Sequence, residues 1–146
     1  MFGKSSQTRS RRNRRGNALL DAALVLPILL SLTFGTVEYG YFFFVKHTMQ
    51  GAAREGCRVG ILPTSDNTQV RSAIVASLYA AGLNSSSSSL DSKFTLTTTP
   101  SNLSGVAAGT SVTVQLDCTW GNIGVRPLGL IGTAKVVRGV TVMRRE

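Results

Sequence analysis

Histidine occurs once in this chain, at His47, and cysteine twice, at Cys57 and Cys118; acidic residues number only seven in 146 positions. A structural zinc site takes four Cys or His ligands, so this inventory argues against one. His47 stands beside Lys46, and no local motif supplies a serine nucleophile with a base and an orienting acid. A Gly-x-x-x-x-Gly-Lys-Ser/Thr phosphate loop and a His-Glu-x-x-His metal motif are both missing. The residues therefore ask for no cofactor and no small-molecule substrate, and a non-enzymatic, structural role is expected. Acidic residues are wholly lacking ahead of Gly16, where Lys4, Arg9, Arg11, Arg12, Arg14 and Arg15 form a basic tail. No aromatic residue interleaves those six cations, which argues against nucleic acid as the partner.

Most of the formal charge of +9 sits in this tail, and the tail abuts a long apolar run. Between Arg15 and Lys46 only Asp21 and Glu38 carry charge. About 20 helical residues at roughly 1.5 Å each cross a hydrocarbon core of about 30 Å, and Ala18 to Val37 has that length. A secretory signal peptide also begins basic and turns apolar, but its apolar stretch is about 7–15 residues and ends at a small-residue cleavage site. Here the run is longer and is followed by Tyr39, Tyr41, Phe42, Phe43 and Phe44, the composition of an interfacial aromatic belt. The positive-inside rule then keeps the basic end in the cytoplasm and puts everything beyond Lys46 outside it. A soluble, secreted domain would instead require a cut beyond Tyr41.

Residues 1–15 read as a disordered basic tail. The long helix is expected to start near Asn17, to run through Pro27 with a kink, and to end after Gly60, ahead of Pro63. Ser65 or Asp66 caps a second helix from about Asn67 to Ala81, with Val70, Ile74, Leu78 and Ala81 on its apolar face. Gly82 and Asn84 end that helix, and Ser85–Ser89 form a low-complexity loop. Lys93–Thr98, Ser111–Trp120 and Thr133–Met143 are the expected strands, with Gly139 placing a bulge in the last. In the middle strand Val112, Val114, Leu116, Cys118 and Trp120 alternate with polar residues, as a half-buried strand requires. Val125–Ile131 is apolar but contains Pro127 and Gly129, so it reads as a loop. It either covers the domain core or presents Leu128, Leu130 and Ile131 as a contact surface. The fold class is α+β: a long N-terminal transmembrane helix continuing into a small domain with a short second helix and an antiparallel sheet. The expected divisions are a basic cytoplasmic leader over 1–16, the membrane and extended helix over 17–62, and an extracytoplasmic domain over 63–146.

The junction Arg14-Arg15-Gly16-Asn17-Ala18-Leu19-Leu20-Asp21, continued by Ala22-Ala23-Leu24-Val25-Leu26-Pro27, resembles the TadE-like family. These are minor pilins, or pseudopilins, of the bacterial tight-adherence (Flp) pilus, a type IV pilus-like secretion machinery. Glu38-Tyr39-Gly40 and Ala52-Ala53-Arg54-Glu55-Gly56-Cys57-Arg58 also resemble the family, the latter its Ala-Ala-Arg-Glu-Gly-x-Arg signature, and so does the ending Thr-Val-Met-Arg-Arg-Glu. The resemblance implies a pilin-like domain, anchorage in the bacterial inner membrane before assembly, and partners in other pilins, the assembly platform and membrane lipid. It also implies cutting by a prepilin peptidase after Gly16, which leaves Asn17 as the first mature residue and Asp21 as the fifth. Asp21 and Ala22 stand where the family usually has Glu followed by an aromatic residue. The alternative is an uncleaved inner-membrane scaffold that presents its outer domain to the apparatus.

Four further residue readings carry two alternatives each. Asp21 lies one helical turn beyond Asn17, so its carboxylate can neutralise the new amine or a neighbouring subunit's; otherwise it snorkels to the cytoplasmic interface. Glu38, near the outer surface, is expected to be solvated, with a subunit contact as the sharper reading. Ser31 and Gly35 form a small-xxx-small pair that lets helices approach closely, unless the spacing is chance. Cys57 and Cys118 either pair in an oxidising compartment, for about 4 kcal/mol, or stay as separately buried thiols.

Overall fold

A computed structural model describes residues 12–145, with side-chain surroundings from Ala18 onward. The element order is α1 (Arg12–Gly60), α2 (Asn67–Ala80), β1 (Phe94–Thr99), β2 (Ser111–Thr119) and β3 (Val136–Arg144). The α+β expectation holds, with one long helix, one short helix and one three-stranded antiparallel sheet. Helix α1 begins at Arg12 rather than near Asn17; the intervening Arg12, Asn13, Arg14 and Arg15 include three good helix formers. Lys4, Arg9 and Arg11 of the basic leader lie outside the described residues.

Two solvents divide α1. In its first half Leu19, Leu24 and Leu32 are 72%, 69% and 69% exposed, an apolar surface far beyond what a water-soluble helix sustains. Among the described residues this is the one helix long and apolar enough to cross a membrane, and it fits a single-pass membrane protein. In its second half Val45, Met49, Ala52, Ala53, Gly56, Cys57 and Gly60 are buried, at the three-and-four spacing of one helical face. The small residues on that face are there for a reason. A Cβ on Gly56 would stand 2.6 Å from Ile74 Cγ1, so α2 lies almost in contact with the α1 backbone. The Ala-Ala-Arg-Glu-Gly-x-Arg stretch is thereby explained: Ala52, Ala53 and Gly56 floor the contact, while Arg54, Glu55 and Arg58 face solvent.

Asp66 caps α2, its carboxylate accepting the Gln69 N–H at 2.8 Å, and Val70, Ile74, Val75 and Leu78 are the buried face. Ser65, the other cap candidate, instead donates to the Gly60 and Leu62 carbonyls and so closes the turn between the helices. The sheet order is β1-β2-β3, and the alternation expected along β2 is found, with Val112, Val114, Leu116 and Cys118 turned inward. Arg145, just past β3, is buried and donates to the carbonyls of Leu103 and Pro63 at 2.7 and 2.8 Å. It ties the chain's end to the turn after α1.

The bulge expected at Gly139 is absent, since the register passes evenly through Leu116↔Gly139. Glycine is needed there for another reason. A Cβ would meet the Met49 carbonyl oxygen at 2.6 Å and the Gln50 nitrogen at 2.9 Å, so the backbones of α1 and β3 touch. Beside that contact the Gln50 side chain accepts from the Val140 N–H at 3.2 Å and donates to the Val140 carbonyl at 2.6 Å. The helix thus occupies backbone groups that an edge strand would otherwise leave open to pairing.

Gly139→Val raises β propensity yet should destabilise the domain by about 1–3 kcal/mol, because the new side chain meets backbone that cannot move aside. Gly51→Ala on the exposed face of α1, with nothing within 4 Å of the added carbon, should be neutral or stabilise by up to about 1 kcal/mol. Denaturant unfolding of the detergent-solubilised chain checks the pair.

Candidate functional site at the joint between apolar helix and domain

The connection from β2 to β3 is long because it does not turn back directly. After a tight 3-10 turn at Trp120–Asn122 it runs to Lys135, and its base is closed by Trp120 N–H to Lys135 O at 2.7 Å and Gly121 N–H to Thr133 O at 2.9 Å. Pro127 and Gly129, the latter at φ +68°, keep the stretch between them out of the sheet, so its backbone donors need other acceptors. Glu38 serves two of them. One carboxylate oxygen accepts the Ile131 N–H at 2.8 Å and the other the Leu128 N–H at 3.3 Å.

The solvated position expected for Glu38 is therefore not found: the residue is 0% exposed. Amides that converge on a carboxylate can replace its water, and hydrogen bonds to an ionised group are the strong kind. The carboxylate holds the loop against α1, and Leu130 settles where a Cβ on Gly35 would lie 3.5 Å from its Cδ1. Ser31 and Gly35 thus form the floor of an open groove of about 600 Å³ walled by Leu130, Leu32 and Tyr39. The loop lies along the flank of α1 and leaves Val125, Leu128 and Leu130 exposed, while Ile131 packs half-buried against the core, so the segment answers to both alternatives in part.

The aromatic run splits at the same level. Tyr39, Phe43 and Phe44 face outward, whereas Tyr41 and Phe42 are half-buried against Trp120, with ring centroids 6.0 and 5.2 Å away. Trp120 is fully buried, its indole N–H finds no hydrogen-bond partner among the described residues, and Gly124 lies flat on its ring, where a Cβ would be 2.4 Å from the indole. This aromatic stack locks the loop's first residues to the helix just above Glu38.

The remaining candidates lie apart from this joint. Gly16 and Asn17 belong to the backbone of α1, and their side-chain surroundings fall outside the described residues; Asp21 stands exposed one turn on. The Cys57–Cys118 bridge is not formed. Cys57 faces the Val112 carbonyl at 3.3 Å, and Cys118 is six positions further along β2, about 20 Å at 3.3 Å per residue, against the 7 Å or so that a disulfide spans between Cα atoms. Both thiols are buried, and burial pushes each up from its ordinary value. Hydrogen bonds from the Met143 and Val114 backbone oppose this at Cys57, and the Lys93 charge opposes it at Cys118. Such thiols are poor nucleophiles. Among the described residues no group of three or more His, Cys, Asp or Glu side chains is placed to hold a metal.

Glu38, Trp120, Gly124 and Arg145 were not marked as a working set by sequence reasoning. For Glu38 the signal was present: it lies seven residues before Val45 and so on the same face of the helix.

Residues 16–58 match the model of the family described as TadE-like protein, the family that the motifs of this segment resemble. The match runs from the glycine after the basic tail through the Ala-Ala-Arg-Glu-Gly-x-Arg stretch, and includes Glu38. No curated protein and no solved structure matches the chain.

Glu38→Ala leaves the Leu128 and Ile131 amides without their acceptor, at a cost of about 1–3 kcal/mol for each group left dry. Amide exchange at those two positions should speed up while α2 and β2 keep their protection; unchanged exchange would mean that the carboxylate does not hold the loop. The thiols give a second test. Alkylation of the native chain without reductant should label neither cysteine, and alkylation after unfolding should add two labels by mass; a product two hydrogens lighter that takes no label would restore the bridge.

Proposed function

From the TadE-like match over residues 16–58, we propose that this chain is a non-enzymatic minor pilin or pseudopilin that acts in assembling a tight-adherence (Flp-type) pilus. The observation that carries the reading is the division of α1 into two halves, both inside the matched segment. An apolar half with its leucines exposed continues without a break into a half that is the core of a small α+β domain. A helix of this kind can rest in lipid before assembly and then pack among like helices, since either surrounding satisfies the same apolar side chains. The basic tail favours a cytoplasmic N-terminus, with the domain on the far side of the inner membrane.

In this reading a prepilin peptidase cuts after Gly16. The new ammonium on Asn17 then lies one turn from the Asp21 carboxylate, close enough for the pair to neutralise each other or for Asp21 to meet a neighbour's amine. The partners are lipid, the peptidase, other pilins and the assembly platform. The competing reading is an uncut inner-membrane scaffold, favoured by Asp21 and Ala22 at the positions where the family usually has Glu and an aromatic residue.

Mass spectrometry of the membrane and sheared-filament fractions decides between them. A chain beginning at Asn17 is expected in both, and intact Met1–Gly16 in the assembled complex would give the scaffold reading instead. Asp21→Asn should leave the amount in the membrane unchanged and deplete the sheared fraction; equal yields in both fractions would remove Asp21 from assembly.

A further inference from the structure

The β2–β3 loop is placed oddly for a surface loop in water. It carries Val125, Leu128 and Leu130 at 49%, 41% and 55% exposure, and between Trp120 and Lys135 it holds Arg126 and Lys135 but no acidic residue. Exposed loops are ordinarily polar, because their backbone and side chains meet solvent. Its depth along α1 offers the reason. If the span is Ala18 to Val37, Gly35 lies only about 3 Å inside the end of it at 1.5 Å per residue, and Leu130 rests on Gly35.

Irregular backbone at that depth is admissible only if its polar groups are satisfied by protein, since lipid offers no hydrogen bonds. Here the Glu38 carboxylate takes the Leu128 and Ile131 amides and is itself sealed from solvent, while the Gly129 and Leu130 backbone has no partner among the described residues and so stays at the hydrated headgroup level, with only side chains reaching deeper. The apolar side chains on the loop's outer side are continuous with the exposed leucines of α1. Lys46 and Lys135 border a second depression beside Leu130 and Ile131, and long basic side chains beside an apolar surface extend their ammonium groups toward phosphate headgroups.

We propose that the segment Val125–Ile131 is a second membrane contact: Leu128 and Leu130 insert into the leaflet nearest the domain, and Arg126, Lys135 and Lys46 lie at its phosphates. The proposal rests on the reading that α1 spans the bilayer. It makes the attachment two-legged and so restrains the tilt of the molecule against the bilayer. The occupant is lipid, because the exposed loop side chains extend an apolar surface that α1 already presents and are rimmed by cations.

The test uses the full chain in vesicles of phosphatidylethanolamine and phosphatidylglycerol, with a small environment-sensitive fluorophore on a single introduced cysteine. Leu130→Cys is the informative site, Leu128→Cys repeats it, Ser88→Cys marks the aqueous side of the domain, and Leu24→Cys reports on the span. The parent chain, with its two buried thiols, gives the labelling background. Labels at Leu130 and Leu128 should be quenched by lipids carrying a nitroxide near the headgroup. They should also be reduced by aqueous dithionite several-fold more slowly than the label at Ser88.

Dithionite access equal to that at Ser88, with Leu24 still quenched by lipid, overturns the loop contact and leaves the span intact. Shielding from both quenchers also overturns it, because a second protein surface would then cover the loop. A Leu24 label that lipid nitroxides do not reach removes the span and the loop contact together.

Discussion

One face of one helix organises this molecule. Ser31, Gly35, Glu38, Phe42, Val45, Met49, Ala52, Gly56 and Gly60 follow each other at intervals of three or four along α1, so they form a single stripe. Most of what the chain folds is laid against it: the β2–β3 loop against Gly35 and Glu38, Trp120 against Phe42, β3 against Met49, and α2 against Gly56. A helix is stiff over this length, so the stripe sets the rotational position of the domain about the apolar half. The residues on it are small where Leu130, Ile74 and Val70 press on the helix, and the one charged residue on it accepts two amides.

The alternation along β2, the cap at Asp66 and the stop after Gly60 were legible because each is a local pattern repeated over a few residues. The packing purpose of glycine was not. Gly139 in a strand and Gly56 in a helix look like weak points by propensity, and only the approach of a distant backbone or side chain explains them. The choice between paired and separately buried cysteines stayed open for a related reason. Composition permits a bridge, but the register decides for separate thiols, since it sets Cys118 six positions from the carbonyl that Cys57 meets. Glu38 was misread because a carboxylate near a membrane surface was assigned to water, while its place on the buried stripe, visible in the spacing, argued otherwise.

The joint also shows how the chain manages polar groups at a change of solvent. Below it, the helix satisfies its own backbone, and Thr33 and Thr36 return their hydroxyls to the carbonyls of Leu29 and Leu32, at 2.8 and 2.9 Å. Above it, sheet and turns pair the backbone in the ordinary way. Only the loop has irregular backbone at the boundary, and there a charged acceptor is used, which binds two amides from a single side chain. A neutral residue at position 38 would offer at most one acceptor oxygen.

The stripe bears on assembly through the faces it leaves uncovered. Asp21 precedes Glu38 by seventeen residues, and at about 100° per residue it lies roughly 100° around the helix from the face that carries the loop and domain. The chain's own domain therefore takes one side of α1 from Ser31 upward and does not shade the side on which Asp21 is exposed. A neighbouring helix can approach Asp21 and the leucines around it without displacing the loop. Pairing of Asp21 with an amine, within the chain or between chains, is thus compatible with the joint remaining closed. The same geometry separates two kinds of damage: loss of Glu38 loosens the domain on its helix, whereas Asp21 stands exposed outside the folded contacts, so its loss leaves the fold untouched.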